Sequence, residues 1–450
     1  MAGSATNKVT FVFLATLAIV VRCIEAGGNV VFDDHLREQE RIAYELALKT
    51  YVPDPLEVTF ELNHHVNFVY LASFRFMNKT ESRRNLMKIK RRNRRFICEA
   101  TNPIDGCWRC DPNWARNRFR LAECAKGFGR RAKGGLGGPI YVVTDESDND
   151  MINPRPGTLR YGVLLRGPVW IIFARSMLIN LKQELIVTSD KTIDGRGANI
   201  QIRGGAGLTL QFVNNVIIHG IRIKGVRSRS GGMIRSSADH IGLRMRSDGD
   251  GITIFGSSNI WIDHISMSDC EDGLIDVVAG STGITISNCH MTKHNDVMLF
   301  GADDRFTRDK IMQVTVVFNH FGQGLIQRMP RCRFGFFHVL NNDYTHWLMY
   351  AIGGSSNPTI LSQGNRFIAP NNMAAKEVTH RDYARPEEWA NWQWRSENDL
   401  FMNNARFVES GAPITNLPFR GFLMTPRHGS HANRLTSYAG ALTCVVGRPC

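Results

Sequence analysis

No stretch of this chain holds the roughly 20 consecutive apolar residues that a membrane-spanning helix requires. The longest such run, Val9 to Val21, is about 13 residues, so a membrane span is excluded. Charged residues fill only 21% of 450 positions, and acids are the scarcer sign: 41 against 55 bases, for a formal net charge of +14. That balance points to a polyanionic partner: nucleic acid, an anionic membrane surface or an acidic polysaccharide. With 43% hydrophobic residues and 41 glycines, wholesale disorder, a coiled coil and collagen are excluded.

Several chemical signatures are missing as well. The glycine-rich stretch Gly134 to Gly138 precedes a strand pattern and has no Lys-Ser/Thr behind it, so it is a weak nucleotide signal. There is no serine-centred elbow and no catalytic cysteine context. Cys107-Trp-Arg-Cys110 lacks both a βαβ context and a second pair at metal spacing, which favours structural disulfides over a redox or zinc site.

What is present begins with an export signal. Lys8, the apolar run and a small-residue end at Ala26 read as a secretory signal peptide over residues 1–26, and its loss lowers the charge to +13. Of 10 cysteines, only Cys23 lies in that segment. Cys98, Cys107, Cys110 and Cys124 crowd into one patch, Cys444 and Cys450 are close enough to close a loop, and the odd count leaves at least one thiol unpaired unless it bridges to another chain.

Residues 27–97 form a small N-terminal extension. Asp33 to Leu62 carries an acidic-leaning helical pattern, and Arg83 to Arg95 is a cationic run that reads as a solvated linker, with a cleavable pro-segment as the alternative. Nucleic-acid binding fits an exported chain poorly. Asn78-Lys79-Thr80 is a glycosylation sequon.

From about Ile140 the pattern changes to short alternating β-type runs, among them Val216–Ile223, Ile260–Ile265, Gly283–Asn288, Val314–Asn319 and Phe336–Asn341. With His264, Asn288, Asn319 and Asn341 as equivalent points, the steps are 24, 31 and 22 residues. Strand repeats of that size without helices imply a solenoid, and neither leucine-rich repeats nor propeller blades fit. The expected fold is all-β, a right-handed parallel β-helix over 98–450, with Asn288, Asn319 and Asn341 stacked as an amide ladder.

Acids concentrate between Ser247 and Asp276. Asp248 and Asp250, then Asp272 and Asp276, are expected to project as pairs from extended strands, stacked by adjacent coils. Four carboxylates gathered in a basic protein need a cation, and oxygen ligands without matching histidines indicate calcium. His290 and His294 are read as structural. Downstream, Arg328, Arg331 and Arg333 form a guanidinium cluster suited to binding carboxylates.

The ordered motifs Asn102–Asp111, Asn153–Arg160, Thr192–Gly197, Trp261–His264, Asp272–Asp276, Gln327–Arg331 and Asn341–Trp347 resemble plant pectate lyases, from Cys98 to about Phe407. The N-terminal segment is similar to the extension of pollen- and flower-type members. The resemblance implies calcium-dependent β-elimination on de-esterified homogalacturonan, by a secreted, monomeric cell-wall enzyme. It also implies calcium ligands at Asp248, Asp250, Asp272 and Asp276, a proton-abstracting Arg328, and substrate binding by Arg331 and Arg333. An arginine base runs against the group's ordinary pKa above about 12. Two places depart from the family pattern: Asp296 stands where a lysine is usual, and Gly301-Ala-Asp-Asp304 replaces Gly-His-Ser-Asp. Facing an anionic substrate, these extra acids are expected to weaken binding, and Asp296→Lys to tighten it. The alternatives are a pectin-binding β-helix with weakened catalysis and a pectin hydrolase.

Overall fold

The alternating runs form strands, and each pairs in parallel with its counterpart one coil away in this computed structural model. The structure describes residues 31–79, 98–345, 347–381, 384–412 and 425–450. The signal peptide, the basic run and Thr80 of the sequon lie outside them.

Each coil visits three sheets in turn, as in Ser258–Asp263, Ser266–Ser268 and Ile275–Val278, before the next coil starts at Thr282–Ser287. The described strands build sheets of ten, nine and eight members, giving the expected right-handed parallel β-helix. Inward residues such as Ile218, Ile262, Ile286 and Val316 stack in register and are fully buried. The outer face of the ten-stranded sheet is covered too: Trp170, Ile217 and Trp261 pack against Ile104, Trp108 and Leu121. Burial on both faces explains the near-continuous apolar runs.

The cysteine patch belongs to this outer cover. Cys98 bonds Cys110, Cys107 bonds Cys124, and Cys444 bonds Cys450. The two ends of the Cys-Trp-Arg-Cys motif therefore take different partners, while Cys270, Cys289 and Cys332 remain as buried thiols.

The asparagine ladder exists, but one residue away from the expected register. The coil corners in the left-handed region are His264 (φ 53°), Asn288 (50°), Phe318 (57°) and Asn341 (49°). The stack follows them: Asn319 Oδ1 accepts from the Cys289 amide, Asn342 Oδ1 from Asn319, Asn365 Oδ1 from Asn342, and Asp399 from Asn365. Asn288 and Asn341 bond elsewhere, to Asp263 and to carbonyls of Gly364 and Arg427. Asparagine or aspartate one residue past the corner thus satisfies the preceding coil's amide.

The extension folds into α1 (Asp34–Thr50) and α2 (Pro55–Lys79), separated at the prolines Pro53 and Pro55. Asp33 caps α1 by accepting from the Leu36 amide at 2.9 Å. Leu36 and Ala43 pack on Phe212, Phe255 and Val278, outward residues of the eight-stranded sheet and its corner. α1 thereby borders the face on which the acids and arginines converge.

Candidate active site

The eight-stranded sheet carries one outward row in strict register: Thr253, Asp276, Leu299 and Arg331, followed by Gly353. Asp276 is the one acid of the four that lies on a strand. Asp248, Asp250 and Asp272 lie in the loops that enter two successive strands, so the expected projection from extended strands is corrected. The acids meet because those loops stack.

The Asp250 carboxylate is buried and pinned, with Oδ1 accepting from the Gly273 amide (2.9 Å) and Oδ2 from the Thr253 hydroxyl (2.9 Å). Asp276 Oδ1 accepts from the Leu299 amide at 3.3 Å. Gly273 lies between the two: a Cβ there would collide with the Asp276 carboxylate and crowd Asp250 Oδ1. Burial first, then the charges of Asp276, Asp272 and Asp248, push Asp250 well above the usual carboxylate range. Asp276 is raised to about 8 by burial and then by Asp272. Asp272 is raised by burial and by Asp296, although its edge stays open to solvent.

Such mutual repulsion out of water is the condition a hard divalent cation relieves, so the residues present fit calcium. Among the described residues, no three His, Cys, Asp or Glu side chains are gathered tightly enough to form a finished metal cage. The acids are coupled through their fields and the gap at Gly273.

Arg328 stands at the corner between Leu325–Gln327 and Arg331–Arg333, with φ at 62°. Arg328 shares that left-handed conformation with other coil corners, among them Phe318 and Asn341. Its Nε lies 3.1 Å from Asp296 Oδ1. Arg331 and Arg333 share the outward face of their strand while Cys332 points into the core. Arg331 is almost wholly buried and donates to Ser355 at 3.4 Å. Arg333 donates to Asp304 (2.9 Å) and to the Gly301 carbonyl (2.7 Å). Burial and then the like charge of Arg331 lower its pKa.

The three arginines are therefore not one bundle: Arg328 faces the acids, whereas Arg331 and Arg333 lie further along the sheet. Both additional acids are ion-paired, Asp296 with Arg328 and Asp303 with Arg305. Sequence reasoning missed Gly273 and Thr253, for which only the coil register supplies a signal. His290 stacks on His320, consistent with a structural role, but His294 is buried on the strand that carries Asp296 and its Nε2 has no partner among the described residues.

The comparisons with known proteins bear on the family and the fold. The family described as pectate lyase matches residues 179–388, and the one described as pectate lyase, N terminus, matches 30–86. The chain is 56% identical to the pectate lyase of Lilium longiflorum over 97% of its own length and 99% of that protein. The crystal structure of the cedar pollen allergen jun a 1 superposes with a TM-score of 0.73 at 49% identity, covering 76% of this chain and all of that one. A pectate lyase from Bacillus sp. N165, solved with trigalacturonate, shares the fold at a TM-score of 0.51 and 18% identity, covering 72% of this chain and 99% of that one. With full-length kinship above one half identity and an acid set facing an arginine corner, the chain belongs to the pectate lyase family.

Proposed function

We propose that this pectate lyase is secreted and acts on de-esterified homogalacturonan by calcium-dependent β-elimination, with Arg328 as the base. The observation that carries this reading is the raised, mutually repelling pair Asp250 and Asp276, with Asp276 in the field of Arg328. Asp248, Asp250, Asp272 and Asp276 would hold the calcium, which when bound neutralises the uronate carboxylate and so acidifies the adjacent C5 proton. Arg333, with Arg331 beneath it, offers positive charge to a second carboxylate of the polyanionic chain. In this step Arg328 acts as the neutral guanidine, whose free nitrogen lone pair takes the C5 proton to give the guanidinium. The electron pair forms the C4–C5 double bond, the C4–O4 bond breaks and a water molecule protonates the departing oxygen, leaving an unsaturated end on one product and a hydroxyl on the other. No carboxylic acid is needed to protonate a glycosidic oxygen, which separates this route from hydrolysis.

Export is supported by the three disulfides, which with three buried thiols account for every cysteine after residue 26. A monomer acting in the cell wall is the matching reading. The test is the ultraviolet absorbance of the unsaturated product from polygalacturonate, with and without calcium. New reducing ends without that absorbance would mean hydrolysis, and full turnover in excess chelator would remove the metal.

A further inference from the structure

The base assigned above needs a partner that fixes its direction. Arginine has a long, rotatable side chain, and only a small set of its rotamers brings a given nitrogen to a given proton. The αL backbone at Arg328 sets where the chain leaves the corner, not where the guanidinium ends.

The second constraint comes from the neighbouring coil. His294–Asp296 and Leu325–Gln327 form a two-stranded parallel ribbon, with Asp296 opposite Gln327, the residue before Arg328. That register delivers Asp296 Oδ1 to 3.1 Å from Arg328 Nε, with both side chains about three-quarters withdrawn from solvent, at 25% and 31% exposure. The pair lies outside hydrogen-bond alignment: neither Oδ1 nor Nε has such a bond among the described residues. The contact is one of charge, with its closest approach on the Nε edge. The Nη nitrogens carry no hydrogen bond among the described residues. Lys293, the other cation nearby in sequence, makes no ion pair with Asp296 among the described residues.

We propose that Asp296 is a positioning residue: its carboxylate holds Arg328 by the Nε edge, so that the Nη edge is presented to the C5 proton of the substrate. The aspartate in the family's lysine position is thereby a brace for the base, not a repulsive wall for the substrate. The inference rests on the reading of Arg328 as the base. It also reverses the expectation for Asp296→Lys: an ammonium placed beside the guanidinium would push it away, and turnover would fall.

The test compares full-length wild type, Asp296→Asn, Asp296→Ala and Arg328→Lys on polygalacturonate at saturating calcium. Asp296→Asn is expected to lower kcat about ten- to a hundredfold while leaving KM within about twofold. Formate is expected to restore part of the kcat of Asp296→Ala, and the Asp296→Asn/Arg328→Lys double variant to fall no further than Arg328→Lys alone. An unchanged kcat, or a severalfold lower KM at unchanged kcat, overturns the brace. Weaker calcium binding by calorimetry, with the rate recovered at excess calcium, makes Asp296 a ligand and overturns it too. Nitrogen-15 spectra of the substrate-free wild type need no variant at position 296: the Nε–H of Arg328, assigned by its loss in Arg328→Lys, should exchange slowly with water, and exchange at the free-arginine rate overturns the proposal. A fully active Arg328→Lys chain, or a wild type that makes no unsaturated product, would instead remove the base assignment itself.

Discussion

Gly273 and Asp276 share one space: the volume a side chain would need at Gly273 is filled by the Asp276 carboxylate. The glycine's φ is not in the left-handed region, so the requirement is steric and not conformational.

Gly273→Ala is therefore expected to displace Asp276 and crowd Asp250, raising the calcium concentration for half-occupancy about tenfold or more with little change in fold. Asp276→Asn, which removes a formal charge and leaves the space alone, is expected to act in the same direction. Calorimetric calcium titration checks both. Wild-type affinity in Gly273→Ala would mean that the cation binds elsewhere.

Arg328→Lys keeps the charge but loses the planar fork and its reach. Turnover should fall about a hundredfold or more while oligogalacturonate binding stays near wild type. Near-normal turnover would leave Arg328 a purely electrostatic role and make Arg331 the next candidate for the base.

Stability should fall on the alkaline side through His264. Its Nε2 lies 2.8 Å from Asp105 and its Nδ1 3.0 Å from the Gly440 carbonyl, so both ring nitrogens face acceptors and both donate. Burial opposes the imidazolium, but Asp263 and Asp105 outweigh it and raise the pKa. Because the folded value lies above the unfolded one, near 6.5, this contribution is fully present below about pH 6.5 and lost as pH rises through the raised value. His264→Gln should cost about 3 kcal/mol at pH 6 and flatten the dependence. Urea unfolding at pH 6 and pH 9 reads both, and an unaltered slope would place the alkaline loss in another group.

The β-helix was legible because period-two alternation and recurrent polar corners survive in a single sequence, and the convergence of the four acids because they fall within one short stretch of a basic chain. The register of the ladder was not. Phe318 takes the left-handed corner that Asn288 and Asn341 occupy in their coils, so matching asparagine to asparagine slips the third coil by one residue. The contact of Asp296 with Arg328 was hidden for a related reason: it joins adjacent coils through a ribbon whose pairing depends on intervening turn lengths, which local patterns do not encode.

All three disulfides close short segments, with separations of 12, 17 and 6 residues, and none ties one coil to another. They fasten the outer cover and the tail, which meet where the Cys450 amide donates to Arg109 and the Trp114 indole to Arg448. Among the described residues the coils themselves are joined by hydrogen-bond ladders, the core and ion pairs such as Asp343–Arg366. Mechanical continuity along its axis is therefore indifferent to reductant, and thiol chemistry works as a latch on the cladding, able to loosen the wrapping of the ten-stranded sheet without cutting a tie between coils.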